Sequence, residues 1–319
     1  MRGLKNSYVS MAGWGLLLAG ALSFASCSSD ETIDGIDMQG KAITFGNVSI
    51  KENSRATDPS YSANDIENFQ VWGTVKGNTN NTIKIFDGAT ISKGTAAYGE
   101  VWTQADGQTQ YWIPDADYEF LAIVDGNKPG VTTTKLADAE PKMPESISYT
   151  ADGETDLLCQ KVTRLQNSDE SVVAFTFAHL LSKVHFTFIS TSSLKTITVT
   201  DIQIAGHYAS GTYTIANATW GGQVKAESIQ PLGFGDAEAT ITTTGVTSQL
   251  ARLIIPGNDQ TLTISFNQDG EKVEKELTHD FAPNTQYNIQ ITIEGGSEIT
   301  FKIESLEAWG AKQDIPLNP

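Results

Sequence analysis

Thr261-Leu262-Thr263-Ile264-Ser265-Phe266-Asn267-Gln268-Asp269-Gly270-Glu271-Lys272-Val273-Glu274-Lys275-Glu276-Leu277 decides the fold class. Two alternating runs flank Gln268-Asp269-Gly270, and an Asp-Gly pair between such runs predicts a β-hairpin. Upstream, Leu250 to Ile255, Glu238 to Thr243, Gly211 to Ile215 and Thr196 to Ile204 repeat the pattern. Lys183 to Ile189 and Val172 to Phe177 flank Ala178-His179-Leu180-Leu181-Ser182. Tyr118 to Val124 and Gln110 to Ile113 are separated by Pro114-Asp115-Ala116-Asp117, and Thr82 to Phe86 and Phe69 to Val75 precede them. Ile43, Phe45, Val48 and Ile50 alternate with a slip at Gly46-Asn47 that predicts a bulge. Downstream, Tyr287 to Ile293 and Glu298 to Leu306 close the chain. Val, Ile, Thr, Phe and Tyr dominate these stretches, as strands prefer, and none beyond the leader keeps a helical period over three turns. Short strands at roughly 8 to 12-residue spacing predict an all-β sandwich or barrel, and two tandem Ig-like β-sandwiches of about seven strands fit the length.

The first residues read differently. Arg2 and Lys5 form a basic start, and Met11 to Leu22 is an apolar run too short for a bilayer, which needs about 20 residues. This is a secretory leader, residues 1–26. Phe24-Ala25-Ser26-Cys27 resembles the bacterial lipobox, in which the Cys becomes the lipidated first residue. Cys27 is therefore the expected lipid anchor to the outer membrane. Ser28-Ser29-Asp30-Glu31 resembles the surface-export signal of Bacteroidetes lipoproteins, and residues 27–40 are too polar to fold, so they read as a disordered tether. The expected domains are 41–177 and 178–319.

Composition excludes several functions. Net charge is −17, and removing Arg2 and Lys5 takes it to −19, a surface that repels phosphate backbones and argues against nucleic-acid binding. With Cys27 lipidated, Cys159 has no partner, so no disulfide supports the fold. His179, His185, His207 and His279 lack metal-ligand spacing. There is no Gly-x-Ser-x-Gly elbow, no phosphate-binding loop and no carboxylate pair standing apart from the acidic background. No enzyme activity, cofactor or metal is expected.

Arg55 lies in the polar loop Asn53 to Asn64, beside Ala56, where an Arg-specific protease would reach it. Arg164 reads as a competing loop site, whereas Arg252 sits within an apolar strand pattern. Trp72 and Trp112 fall in alternating strands and read as core, while Trp102 and Trp220, beside Gly-rich loops, remain candidates for stacking on a sugar.

Several pieces, in this order, resemble the fimbrillin family of Bacteroidetes pilins, the Mfa-like and FimA-like proteins. They are Arg55-Ala56-Thr57, Phe69-Gln70-Val71-Trp72-Gly73, Tyr111-Trp112-Ile113-Pro114 with Tyr118-Glu119-Phe120-Leu121-Ala122, Asp156-Leu157-Leu158, Phe175 through Val184, and Ile299-Thr300-Phe301 through Trp309. The resemblance implies a lipoprotein of two transthyretin-like β-sandwiches. It also implies a surface protease that cuts after an Arg following the first strand, here between Arg55 and Ala56. The strand bearing Ile43, Phe45, Val48 and Ile50 would leave, and a neighbouring subunit's C-terminal strand would fill the groove. Ile299, Phe301 and Ile303, or Ile315 and Leu317 in the tail, are the candidate donors, although Pro316 cannot donate a ladder hydrogen bond. The implied partners are other pilin subunits, the protease, and a host protein or glycan. The rival expectation is a non-polymerising surface glycan-binding lipoprotein with an exposed platform of Trp102 and Trp220.

Overall fold

In the computed structural model, the described residues are 41–51, 65–77, 82–96, 99–104, 109–135, 143–165, 172–192, 196–225, 230–237, 241–248, 250–294 and 299–306. They form twenty strands and no α-helix. The first nine are β1 (Phe45–Ile50), β2 (Asn68–Lys76), β3 (Thr82–Ala96), β4 (Gly99–Gln104), β5 (Asp117–Val124), β6 (Val131–Thr134), β7 (Ser146–Thr150), β8 (Leu158–Arg164) and β9 (Val173–His179). Then come β10 (Ser182–Ser190), β11 (Val199–Ala205), β12 (Ser210–Thr214), β13 (Thr219–Val224), β14 (Leu232–Gly235), β15 (Val246–Thr247) and β16 (Arg252–Ile254). The last four are β17 (Gly257–Gln268), β18 (Glu271–Phe281), β19 (Thr285–Ile293) and β20 (Ile299–Leu306).

Seven strands in the order β1-β4-β3-β2-β5-β8-β9 close on themselves around the first core. β5 shows why its sequence is nearly all apolar: Tyr118, Phe120, Ala122 and Val124 enter this core, while Leu121 and Ile123 enter another on the opposite face. A strand covered on both sides needs no polar face. The sheet β13-β12-β7-β6 lies against that second face, where Ile147, Tyr149 and Tyr213 join Trp72, Leu121, Ile123 and Leu157.

The remaining strands make two sheets, β15-β10-β19-β20 with β16 beside β10, and β14-β11-β17-β18. Val184, Phe186 and Phe188 of β10 and Tyr287, Ile289 and Ile291 of β19 meet Ile202, Ile204, Leu262, Ile264 and Phe266 from the opposing sheet. The hairpin of β17 and β18 turns on Asp269 and Gly270, with φ of 51° and 88°, the left-handed pair that a two-residue I′ loop requires.

Some segments differ from the sequence expectation. Gln110 to Ile113 supplies a single bridge, Ala42↔Tyr111, rather than a strand. Within Glu238 to Thr243, the described residues 241–243 are not strand, and the neighbouring strand is β14, whose Phe234 is fully buried between glycines that mask its periodicity. The short polar β6, β7 and β13 have too few apolar residues to register as a pattern. β6 and β7 precede residue 178 while β12 and β13 follow it, so one sheet draws strands from both sides of that position.

Candidate functional site

β1 is the strand that closes the first core. It runs antiparallel to β4 (Phe45↔Trp102) and parallel to β9 (Phe45↔Val173, Gly46↔Ala174, Ser49↔Thr176, Ile50↔Phe177). Backbone hydrogen bonds extend both seams. Val173 N donates to Thr44 O at 2.8 Å and Lys51 N to Phe177 O at 2.6 Å, while Ile43 N donates to Gln110 O at 2.8 Å and Trp112 N to Lys41 O at 2.9 Å. The outer face is polar, with Ser49 Oγ donating to Thr176 Oγ1 at 3.1 Å.

The inner face is apolar. Ile43, Phe45 and Ile50 are buried, and Val48 packs partly buried against the same core. The Phe45 ring lies 6.0 Å from Phe175 in a stacked pair, and 5.4, 6.2 and 6.5 Å from Phe86, Phe120 and Phe69 edge-on. Burying each such side chain contributes roughly 1.5–3 kcal/mol before ordering costs.

The ladder to β9 has a defect. Between Gly46 and Ser49, three steps of β1 match two of β9, and Asn47 adopts φ 48°. The Gly46-Asn47 slip is thus a bulge. Asn is among the few residues that tolerate the left-handed region, and the extra residue returns Val48 and Ile50 to the core side. A Cβ on Gly46 would come within 2.9 Å of Val172 Cγ1, so the glycine also permits close approach to the chain leading into β9.

Cys27, Arg55, Ala56, Ile315 and Leu317 lie outside the described residues, as does Trp309. Ile299, Phe301 and Ile303 lie in β20, which pairs with β19 without a break from Ile293↔Ile299 to Gln286↔Leu306. Arg164 is the last residue of β8 rather than a loop residue; it pairs with Tyr118 and directs Nη2 to Val172 O at 3.5 Å. Arg252 is held in β16, with Nε donating to Gly233 O at 2.8 Å.

The sugar platform does not form. Trp102 sits opposite Phe45 and turns inward to lie 5.1 Å from Phe69, buried in the first core. Trp220 is half-buried beside Tyr213 and Tyr149, and its indole N donates to Leu180 O at 2.7 Å. Trp72 and Trp112 are both buried.

The histidines are dispersed. His179 contacts Asp156 at 2.9 Å in a buried pair, His185 Nε2 accepts from Gln286 at 3.0 Å, and His279 packs on Phe281 and Tyr287. His207 is fully buried with neither ring nitrogen partnered, and burial lowers its pKa to about 4. Burial also pushes the Cys159 thiol up to about 12. Among the described residues no group of His, Cys, Asp and Glu is placed to hold a metal ion.

Fold and site define an all-β protein of sandwiched sheets whose N-terminal strand seals an aromatic groove. The chain belongs to the fimbrillin-like family, whose profile matches residues 54–309 and so begins just after β1. Among solved structures it is similar to a Bacteroides ovatus protein provisionally assigned to cell adhesion. That match has 15% identity and a TM-score of 0.56, covering 86% of this chain and 99% of that one. A Bacteroides uniformis protein with the same provisional assignment gives 18% identity and a TM-score of 0.51, covering 85% and 98%. Both likenesses concern the fold. No curated protein matches the chain.

Proposed function

We propose that this chain is a non-catalytic fimbrial subunit at the cell surface, exported as a lipoprotein on Cys27 and made competent for assembly by cleavage between Arg55 and Ala56. The family membership supports the subunit role. The observation that carries the mechanism is the position of β1. It is the only described strand bridging β4 and β9, and it covers an aromatic cluster. It joins the rest of the chain through residues 52–64 alone on its C-terminal side. A cut at Arg55 leaves β1 held only by its ladder and its buried side chains. Its departure exposes two strand edges and the Phe69, Phe86, Phe120 and Phe175 rings, a surface that strand addition would repair in both hydrogen bonding and burial.

The same reading divides the chain into the leader 1–26, the tether 27–40, an N-terminal sandwich 41–177 and a C-terminal sandwich 178–319. β9 lines the first core and β10 another, which supports a division close to the β9–β10 turn, with the sheet β13-β12-β7-β6 drawing strands from both sides of it. The donor comes from the C-terminal segment of another pilin subunit, and an Arg-specific surface protease makes the cut.

Mass determination of surface-extracted protein tests this, with Arg55→Ala alongside. Wild type should begin at Ala56 and form SDS-resistant ladders, and the variant should do neither. Wild-type protein that stays monomeric and lipidated at Cys27 would remove the trigger for assembly.

A further inference from the structure

The sheet β13-β12-β7-β6 has two unlike faces. Its inner face presents Val131, Ile147, Tyr149, Tyr213 and Trp220 to the second core. Its outer face is built of hydroxyls in register. Thr132 pairs with Ser148, Ser148 with Thr212, and that row ends on Gly221. Thr134, Ser146, Thr214 and Thr219 form the row on one side, and Thr150 and Ser210 lie on the other. The hydroxyls are spaced about 4.8 Å across the strands and about 7 Å along them. Alternation explains why every second residue faces outward, but not why these are Ser or Thr. The outer face of β17 and β18 carries Asn267, Lys272, Glu274 and Glu276 instead. We propose that the hydroxyl face binds a neutral polysaccharide chain, laid across the strands along the Thr132–Ser148–Thr212–Gly221 row. β1 shares no ladder with this sheet, so the proposal stands apart from strand release.

Four features favour this ligand. The first is unused hydrogen bonding. Ser148 Oγ and Thr212 Oγ1 meet each other at 3.3 Å, but among the described residues Thr132, Thr134, Ser146, Thr150, Ser210 and Thr214 make no side-chain hydrogen bond. Each hydroxyl both donates and accepts, as a sugar hydroxyl does, and the Thr methyl groups between them suit the C–H groups of a pyranose ring. The second is shape. A depression of about 350 Å³ lies on this face, bordered by Thr132, Ser148, Thr150, Ser210 and Thr212. The third is Gly221. Its φ is not left-handed, and nothing lies within 4 Å of where its Cβ would stand, so the fold does not require a glycine there. The neighbouring Gly222, at φ 59°, already serves the irregular β12–β13 ladder. A strand glycine without an internal cause marks the close approach of another molecule, and this one leaves the row open at the sheet edge. The fourth is charge. The chain carries −17, yet among the described residues this face bears no charged side chain. It offers no Lys or Arg to a phosphate, sulfate or carboxylate, and no aromatic or Arg anchor of the kind protein interfaces use. A neutral polyol matches it and escapes repulsion from the acidic remainder. Exchanging water for a sugar hydroxyl gains little at each position, so contacts repeated along a polymer carry the affinity.

Affinity electrophoresis of the uncut full chain, in gels containing hydroxyethylcellulose, galactomannan or polygalacturonate, tests this. Retardation by a neutral polymer and none by polygalacturonate is the expected result. The triple variant Thr132→Val, Ser148→Ala, Thr212→Val keeps strand-compatible side chains and should bind about 10-fold more weakly or worse, three hydrogen bonds being lost. Gly221→Tyr enters open space in the free protein and should also abolish retardation, because its ring stands in the path of the polymer. Thr263→Val, on the outer face of β17, should leave retardation unchanged. No retardation by either neutral polymer, retardation that survives both the triple variant and Gly221→Tyr, or equal retardation by polygalacturonate overturns the inference. So does a dimer in sedimentation that Gly221→Tyr disperses, which would assign the face to a second copy of the chain.

Discussion

Replacing Phe45 by Ala removes the ring at the centre of the groove while leaving the β1 backbone in place. The ring is 7% exposed and meets four other phenylalanines within 6.5 Å. Phe→Ala in such a core costs about 3–5 kcal/mol, the transfer term plus the cavity left behind. β1 closes the sheet, so the loss falls on the opening of this core. The amides that report it are Val173 N and Lys51 N, whose acceptors, Thr44 O and Phe177 O, complete the β1–β9 seam. In native-state hydrogen exchange limited by the opening equilibrium, these two amides should exchange on the order of 10²- to 10⁴-fold faster in the variant. Amides in the β17–β18 ladder, on the other core, should change by less than about threefold, since distant sites act independently. Nicking at Arg55 should then release β1 sooner in the variant than in wild type. If Val173 and Lys51 speed up by less than about fivefold, or if both cores lose protection equally, β1 is not an independently opening strand.

Two further outcomes follow from the same structure. Asn47→Val should lower the stability of the first core by about 1–2 kcal/mol, because a β-branched residue is strained at φ 48°, while Asn47→Gly should stay within about 0.5 kcal/mol; denaturant titration followed by tryptophan fluorescence reads both. His207 is held neutral by burial, its pKa depressed from 6.5 to about 4, so its contribution to stability is present above pH 6.5 and is lost as the pH falls towards 4. At about 1.4 kcal/mol per pKa unit, wild type should lose up to about 3 kcal/mol more than His207→Leu over that interval, and parallel stability–pH curves for the two would refute the assignment.

Membership in the fimbrillin-like family fits what the sequence already showed in its order of pieces, from the Arg55 loop to the end at Trp309. The inward residues of β1 were legible for a simple reason. Alternation with a period of two marks a strand with one buried face, and the slip at Gly46-Asn47 is visible because a bulge shifts that alternation by one. The groove beneath β1 was not legible. Phe69, Phe86, Phe120 and Phe175 are spread over more than a hundred residues, and each reads locally as one more core phenylalanine. Trp102 misled for the converse reason. It stands near glycines, a loop signature, but β4 pairs with β1 and turns its indole inward.

Local pattern therefore determined most of the longer strands, the hairpin at Asp269-Gly270 and the buried face of β1, because backbone periodicity and turn chemistry act over a few residues. The tertiary structure alone decided that β1 lies parallel to β9 and bridges it to β4, that β7 pairs with β12 from far along the chain, and that β20 is the last strand of its sheet among the described residues. Those are choices among strand pairings between segments far apart in the chain, settled by which apolar faces can be buried together, and a short stretch of sequence carries no record of its distant partner.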